Sequence, residues 1–115
     1  MNIKVIKSPL SINEVKSLAE ETFGDMVKAV VDIERKIFAL GGELHADAEK
    51  MLLENGSAQE NLWGINIYPE RNTDDRIEFI SLINIRPSQG NKSMEVQDTE
   101  IREKIKNIVN GLIKE

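Results

Sequence analysis

The sequence predicts an α+β fold: one small domain in the order β-α-β-β-α-β-β-α, with a largely antiparallel sheet, two hairpins and three helices. Three observations lead there. Stretches with a two-residue apolar period alternate with stretches of helical period. Capping and turn residues stand at the junctions between them. The chain has 115 residues, 40% of them hydrophobic and 30% charged, which suits one soluble core without staples. No repeat, low-complexity run or linker divides it, so residues 1–115 read as a single domain.

Residues 3–7, IKVIK, alternate and form a short first strand that Pro9 ends. Ser11 and Glu14 have the spacing of a capping box, and Leu10 and Val15 occupy the two staple positions. Val15, Leu18, Ala19, Thr22 and Phe23 then follow one helical face, with Gly24 as its stop. In MVKAVVDIERKIFALGG, Val27, Ala29, Val31 and Ile33 alternate with Lys28 and Asp32, and the β-branched residues favour extended chain. A polar tip at 34–36 turns this strand back into IFAL, a hairpin. Leu44, Ala48, Met51 and Leu52 share one helical face, so a second helix begins near Ala46 or Asp47 and ends at Asn55 and Gly56. LWGINIYP and RIEFISLINIRP supply the second hairpin across the loop ERNTDD. Asp98 caps a third helix that carries Ile101, Ile105, Ile108, Val109 and Leu112 down one face. The first six elements have the order of a ferredoxin-like unit, although order alone leaves strand adjacency open.

The second hairpin carries most of the information about function. If Trp63, Ile65 and Ile67 face the core with Ile77, Phe79, Ser81, Ile83 and Ile85, the even positions share the other face. That places Asn66, Tyr68, Asn84 and Arg86 together at a polar edge. It also puts Ile80 and Leu82 where a helix or a second copy of the chain must cover them. Tyrosine offers a flat contact and arginine a planar fork for carboxylate or phosphate. Polar residues that merely solvate a half-exposed sheet would give the same pattern.

Composition removes several classes of function. The chain has no cysteine, so thiolate catalysis, thiolate metal sites and disulfides are excluded. The net charge of −5 and the few aromatics (Phe23, Phe38, Trp63, Tyr68 and Phe79) argue against nucleic acid. No apolar run approaches the ~20 residues of a membrane span, and NIKVIKSPL is not a signal peptide, so the expected compartment is the cytoplasm.

The only histidine, His45, sits in GGELHADAEK between Glu43 and Asp47. In extended chain the three would project together; in a helix Glu43 and Asp47 would share a face and His45 would point elsewhere. One histidine without cysteine is a poor zinc set, so no metal and no cofactor are expected. General acid–base work by His45 with Glu43 or Asp47 is the enzymatic reading. In the structural reading His45 caps the second helix and Asp47 faces its positive end. The loop RPSQGNKS, residues 86–93, is a further candidate: Arg86, Ser88, Asn91, Lys92 and Ser93 could hold an anion around Gly90.

GGELHADAE, GSAQENLWGINIYPE and SLINIRPSQGN, with AVVDIE and DTEIREKIKNIV, resemble a family of small bacterial and archaeal proteins classified as a domain of unknown function. The resemblance spans nearly the whole chain. It implies a compact cytosolic domain, assigns no activity or catalytic residue, and draws attention to the segments bearing Glu60, Asn61 and Trp63 besides the residues above. The sequence thus favours a non-enzymatic module in which Asn66, Tyr68, Asn84, Arg86 and Asn91 bind a small polar or anionic ligand or a protein segment. The alternatives are a small hydrolase built on His45 with Glu43 or Asp47, and a homodimer that buries Ile80 and Leu82.

Overall fold

In the computed structural model, which describes residues 2–115, helix α1 (Ile12–Glu21) starts at its capping box. The Glu14 N–H donates to Ser11 Oγ at 3.2 Å and the Ser11 N–H to Glu14 Oε1 at 3.5 Å. Gly24, at φ +95°, closes the end by donating its N–H to Ala19 O at 2.7 Å. Helix α3 (Thr99–Leu112) starts where expected too, with Asp98 accepting from the Glu100 N–H at 2.8 Å.

Strands β1 (Ile3–Ile6), β3 (Val27–Asp32), β4 (Ile37–Gly41), β5 (Leu62–Ile67) and β6 (Ile77–Glu78) form one antiparallel sheet in the order β1-β4-β3-β5-β6. The short β2 (Leu10–Ser11) pairs in parallel with β7 (Ile113–Lys114). Both helical crossovers, β1-α1-β3 and β4-α2-β5, join parallel strands with one strand between them; α2 spans His45–Glu54. They move across the sheet in the same direction but start from strands of opposite sense. Right-handed connections then require the two helices to lie on opposite faces. They do. Val15 and Leu18 of α1, with Ile105 and Val109 of α3, cover Val27, Ala29, Val31, Trp63, Ile65 and Ile67. Ala48 and Leu52 of α2 cover Val30, Ile37, Ala39 and Leu62 on the other side. Compared with a ferredoxin-like unit, the fourth main strand, β5, lies beside the second main strand rather than the first.

All residues of β4 and β5 are buried because both faces of the sheet are packed. Burial of each large apolar side chain contributes about 1.5–3 kcal/mol. The first hairpin turns at Asp32, whose Oδ1 accepts from the Glu34 and Arg35 N–H groups and whose Oδ2 accepts from Ser57 Oγ at 2.6 Å.

The second hairpin departs from the sequence expectation. Only Glu78 and Ile77 pair with β5, opposite Asn66 and Ile67. Continuing that register would set Ile80 opposite Gly64, but Ile80 bridges Glu95 instead. The neighbouring Phe79 O and Ser81 N–H bond to the Val96 N–H and Met94 O, each at 3.0 Å. Ser81 Oγ then accepts from the Ile83 N–H and caps a 3-10 turn at Leu82–Asn84. The inward row therefore holds for Trp63, Ile65, Ile67, Ile77 and Phe79 and fails beyond them. Ile83 packs on the α2 face and Ile85 is exposed.

Side chains complete the strand edge that the chain abandons. The Asn84 carboxamide accepts from the Gly64 N–H at 2.8 Å and donates to Gly64 O at 3.0 Å, which supplies both bonds a paired strand would have made. One position along the same edge, the Arg86 guanidinium donates to Leu62 O, and to Gln59 O at 2.7 Å. It also stacks on Trp63, with its central carbon 4.6 Å from the ring centre.

Candidate functional site

The five residues expected to bind ligand do not share one face. Asn84 and Arg86 leave no strand at all; they lie in and after the 3-10 turn and seal the edge of β5. Asn91 is 4% exposed and donates to Asn84 O, Ser93 O and Glu95 O while accepting from the Gln97 N–H, so its amide is fully engaged within the loop. Backbone bonds between Arg86 and Asn91 close residues 86–91 into a tight loop, and Gln89 ties that loop to Glu60 O. Burial disfavours the charge on Arg86, and the nearby Glu49 partly offsets that. Tyr68 is half-buried, with its hydroxyl 3.4 Å from Glu78 Oε1 and its ring under Arg71.

The histidine is likewise separated from its two acids. Leu44, not His45, is the N-cap of α2 and makes no side-chain capping bond. His45 occupies the first helical position, and its Nε2 lies 2.7 Å from Ile65 O. A carbonyl can only accept, so Nε2 carries the proton and Nδ1 is the acceptor of the neutral ring. Glu43 and Asp47 open onto a different depression, beside Ile3 and Gly42. Glu43 precedes the extended N-cap and Asp47 lies in the first turn of α2, so the chain changes conformation within this stretch and the three side chains do not form a triad. Among the described residues no group of three histidine, aspartate or glutamate side chains could hold a metal.

One cleft brings His45 together with Asn66. It has a volume of about 370 Å³ and lies on the α2 side of the sheet, between the start of α2 and the segment 80–83. Lys28 and Asn66 are cross-strand partners and form its floor with His45. Leu44, Ile80, Leu82, Ile83 and Met94 form its walls, with Leu82 71% and Leu44 60% exposed at the mouth. Sequence reasoning put Asn66, Ile80 and Leu82 on one face by carrying them along a pair of strands, and left the place of His45 open. The legible signal was the apolar excess on an otherwise polar face.

The electrostatics of the floor follow from burial. Asn66 is 7% exposed; its Nδ2 donates to Glu78 Oε1 at 2.8 Å, and its Oδ1 has no partner. An unpaired buried amide oxygen costs about 1–3 kcal/mol. Burial pushes the His45 pKa down from its ordinary 6.5; the bond to Ile65 O opposes this, Lys28 adds to it, and the Asn66 amide opposes it. The folded chain thus holds His45 neutral, whereas the unfolded chain binds its proton below about 6.5. The stability this gives is present above that value and lost as pH falls through it toward the folded pKa. Urea midpoints should accordingly fall more steeply between about pH 8 and about pH 5 in the parent chain than in His45→Gln. Equal slopes would mean the ring titrates normally.

A family model with the description "Protein of unknown function (DUF5674)" matches residues 4–112. No curated protein and no solved structure matches the chain. Among the described residues, no helix is long and apolar enough to cross a membrane.

Proposed function

The chain belongs to the DUF5674 family of proteins of unknown function, and from its geometry we propose that it is a non-enzymatic module that binds a small molecule in the cleft between α2 and the segment 80–83. The observation that carries this reading is the unpaired Asn66 Oδ1 beside His45, at the base of a cleft with apolar walls. Small-molecule sites have that composition: mostly apolar lining, a few convergent polar groups, and volumes from about 300 Å³ upward. In this reading Asn66 and His45 touch the ligand. Asn84, Arg86 and Asn91 act at one remove, because they hold the segment that makes the opposite wall. A hydrolase using His45 with Glu43 or Asp47 is disfavoured, since those acids open onto a different depression.

Amide chemical shifts test the reading. Isopentanol, a probe with an apolar body and one hydroxyl, should move the resonances of Leu44, His45, Asn66 and 80–83. Ala46→Trp, which fills the cleft from the start of α2, should abolish the effect while leaving the remaining spectrum in place. Unmoved cleft resonances, or shifts centred on another surface, would overturn it.

A further inference from the structure

The cleft's polar groups are not interchangeable, and their signs narrow the ligand. The start of α2 lines it through Leu44, His45 and Ala46. Leu44, as N-cap, has no side-chain oxygen to offer, so the first N–H groups of α2 have no side-chain cap. Helix N-termini attract negative charge, and Lys28 adds a full positive charge to the same lining, in which no acidic side chain takes part. These two features call for an anion.

The other polar groups call for the opposite. Asn66 Oδ1 is a buried acceptor that has no donor while the His45 ring is neutral. The amide cannot flip to cure this, because Nδ2 must face the Glu78 carboxylate. That charge-assisted bond also polarises the amide and strengthens Oδ1 as an acceptor. The His45 Nδ1, with the ring proton committed to Ile65 O, is a second acceptor. Around both lie mostly aliphatic side chains and one thioether, Leu44, Ala46, Ile80, Leu82, Ile83 and Met94, with the Ser81 hydroxyl, whose oxygen accepts from the Ile83 N–H.

Resting on the binding reading above, we infer that the ligand is an aliphatic α-amino acid. Its carboxylate would face the start of α2 and Lys28, its ammonium would donate to Asn66 Oδ1 and His45 Nδ1, and its side chain would lie against the Leu44, Leu82 and Met94 wall. An anion, a vicinal donor and a short branched chain are the three features the lining asks for, and such a molecule holds them on adjacent atoms.

Titration calorimetry with leucine, isocaproate and isopentylamine separates the parts. Leucine should bind at least about tenfold more tightly than either truncated analogue, because each leaves a buried polar group unmatched. Lys28→Met should weaken leucine and isocaproate by about tenfold and leave isopentylamine unchanged. If all three compounds bind equally, the amino-acid assignment falls while the cleft remains a binding site. If none binds and isopentanol leaves the cleft resonances unmoved, both fall.

Discussion

Gly64→Ala should lower the thermal midpoint by about 15 °C or more. A Cβ at Gly64 would lie 2.5 Å from Ser81 Cβ, 2.6 Å from its Oγ and 3.1 Å from Ile83 Cγ1. Ser81 cannot swing aside: its Cβ is fixed to a backbone held by the bond to Met94 O on one side and to the Asn84 N–H on the other. The 81–84 turn would have to lift from β5, and Asn84 would leave Gly64 with it. Overpacking costs about 1–3 kcal/mol and each stranded buried group about as much again. A sum near 3 kcal/mol in a domain of this size gives the stated shift at roughly 5 °C per kcal/mol. Ser81→Gly in the same chain should recover part of the loss by removing the clashing atoms. Gly111→Ala is the comparison, since its Cβ meets nothing within 4 Å and, inside α3, should hold or slightly raise the midpoint. A Gly64→Ala midpoint within about 2 °C of the parent would mean that the turn does not press on the strand.

The fold was legible wherever the determinant is local. The capping box at Ser11, the cap at Asp98, the alternation through Val27–Asp32 and the stripe of α3 are short-range patterns with physical causes of their own, and each produced its element. Strand adjacency was not legible, because it depends on which face a crossover helix takes. The break after Phe79 was illegible for a sharper reason. EFISLINIR has strand periodicity, but its backbone is redirected by the pairing of Ile80 with Glu95, fifteen residues on, and by an amide that replaces a strand. Alternation records what a segment could do in a sheet, not whether a partner elsewhere outcompetes the sheet.

The candidate site divides along the same line. Asn66 and His45 were chosen for their chemistry, and the cleft brings them together; Asn84, Arg86 and Asn91 were chosen for theirs, and the fold uses it on itself. Asparagine and arginine mark a recognition surface only when their hydrogen-bonding groups are left over after folding. A sequence lists the groups without their partners. Lys28 and Met94 escaped notice because neither type is distinctive alone, and their place in the site depends on the register of β3 with β5 and on the return of the 94–96 segment.

Asn84→Ala should cost about 3–5 kcal/mol in denaturant unfolding, and Asn84→Asp should cost more than that only toward neutrality. The asparagine is fully buried and serves three backbone groups: the Gly64 N–H, Gly64 O, and Met94 O at 3.0 Å. Alanine strands all three, each at about 1–3 kcal/mol before relaxation or water entry reduces the sum. Aspartate keeps the acceptor for the Gly64 N–H but turns a carboxylate oxygen toward two carbonyls. Burial and those carbonyls would raise its folded pKa above the unfolded value near ~3.9. The unfolded chain then loses its proton first as pH rises, so the added penalty is absent below about pH 4 and grows upward to the folded pKa. Alanine has no such dependence. Protonated aspartate keeps the acceptor and one donor, so in acid it should cost less than alanine, and its cost should rise past that of alanine toward neutrality, measured against the parent at each pH. Parallel curves would show that water or a moved backbone had taken over the bonds, and that the amide is not what seals the edge of β5.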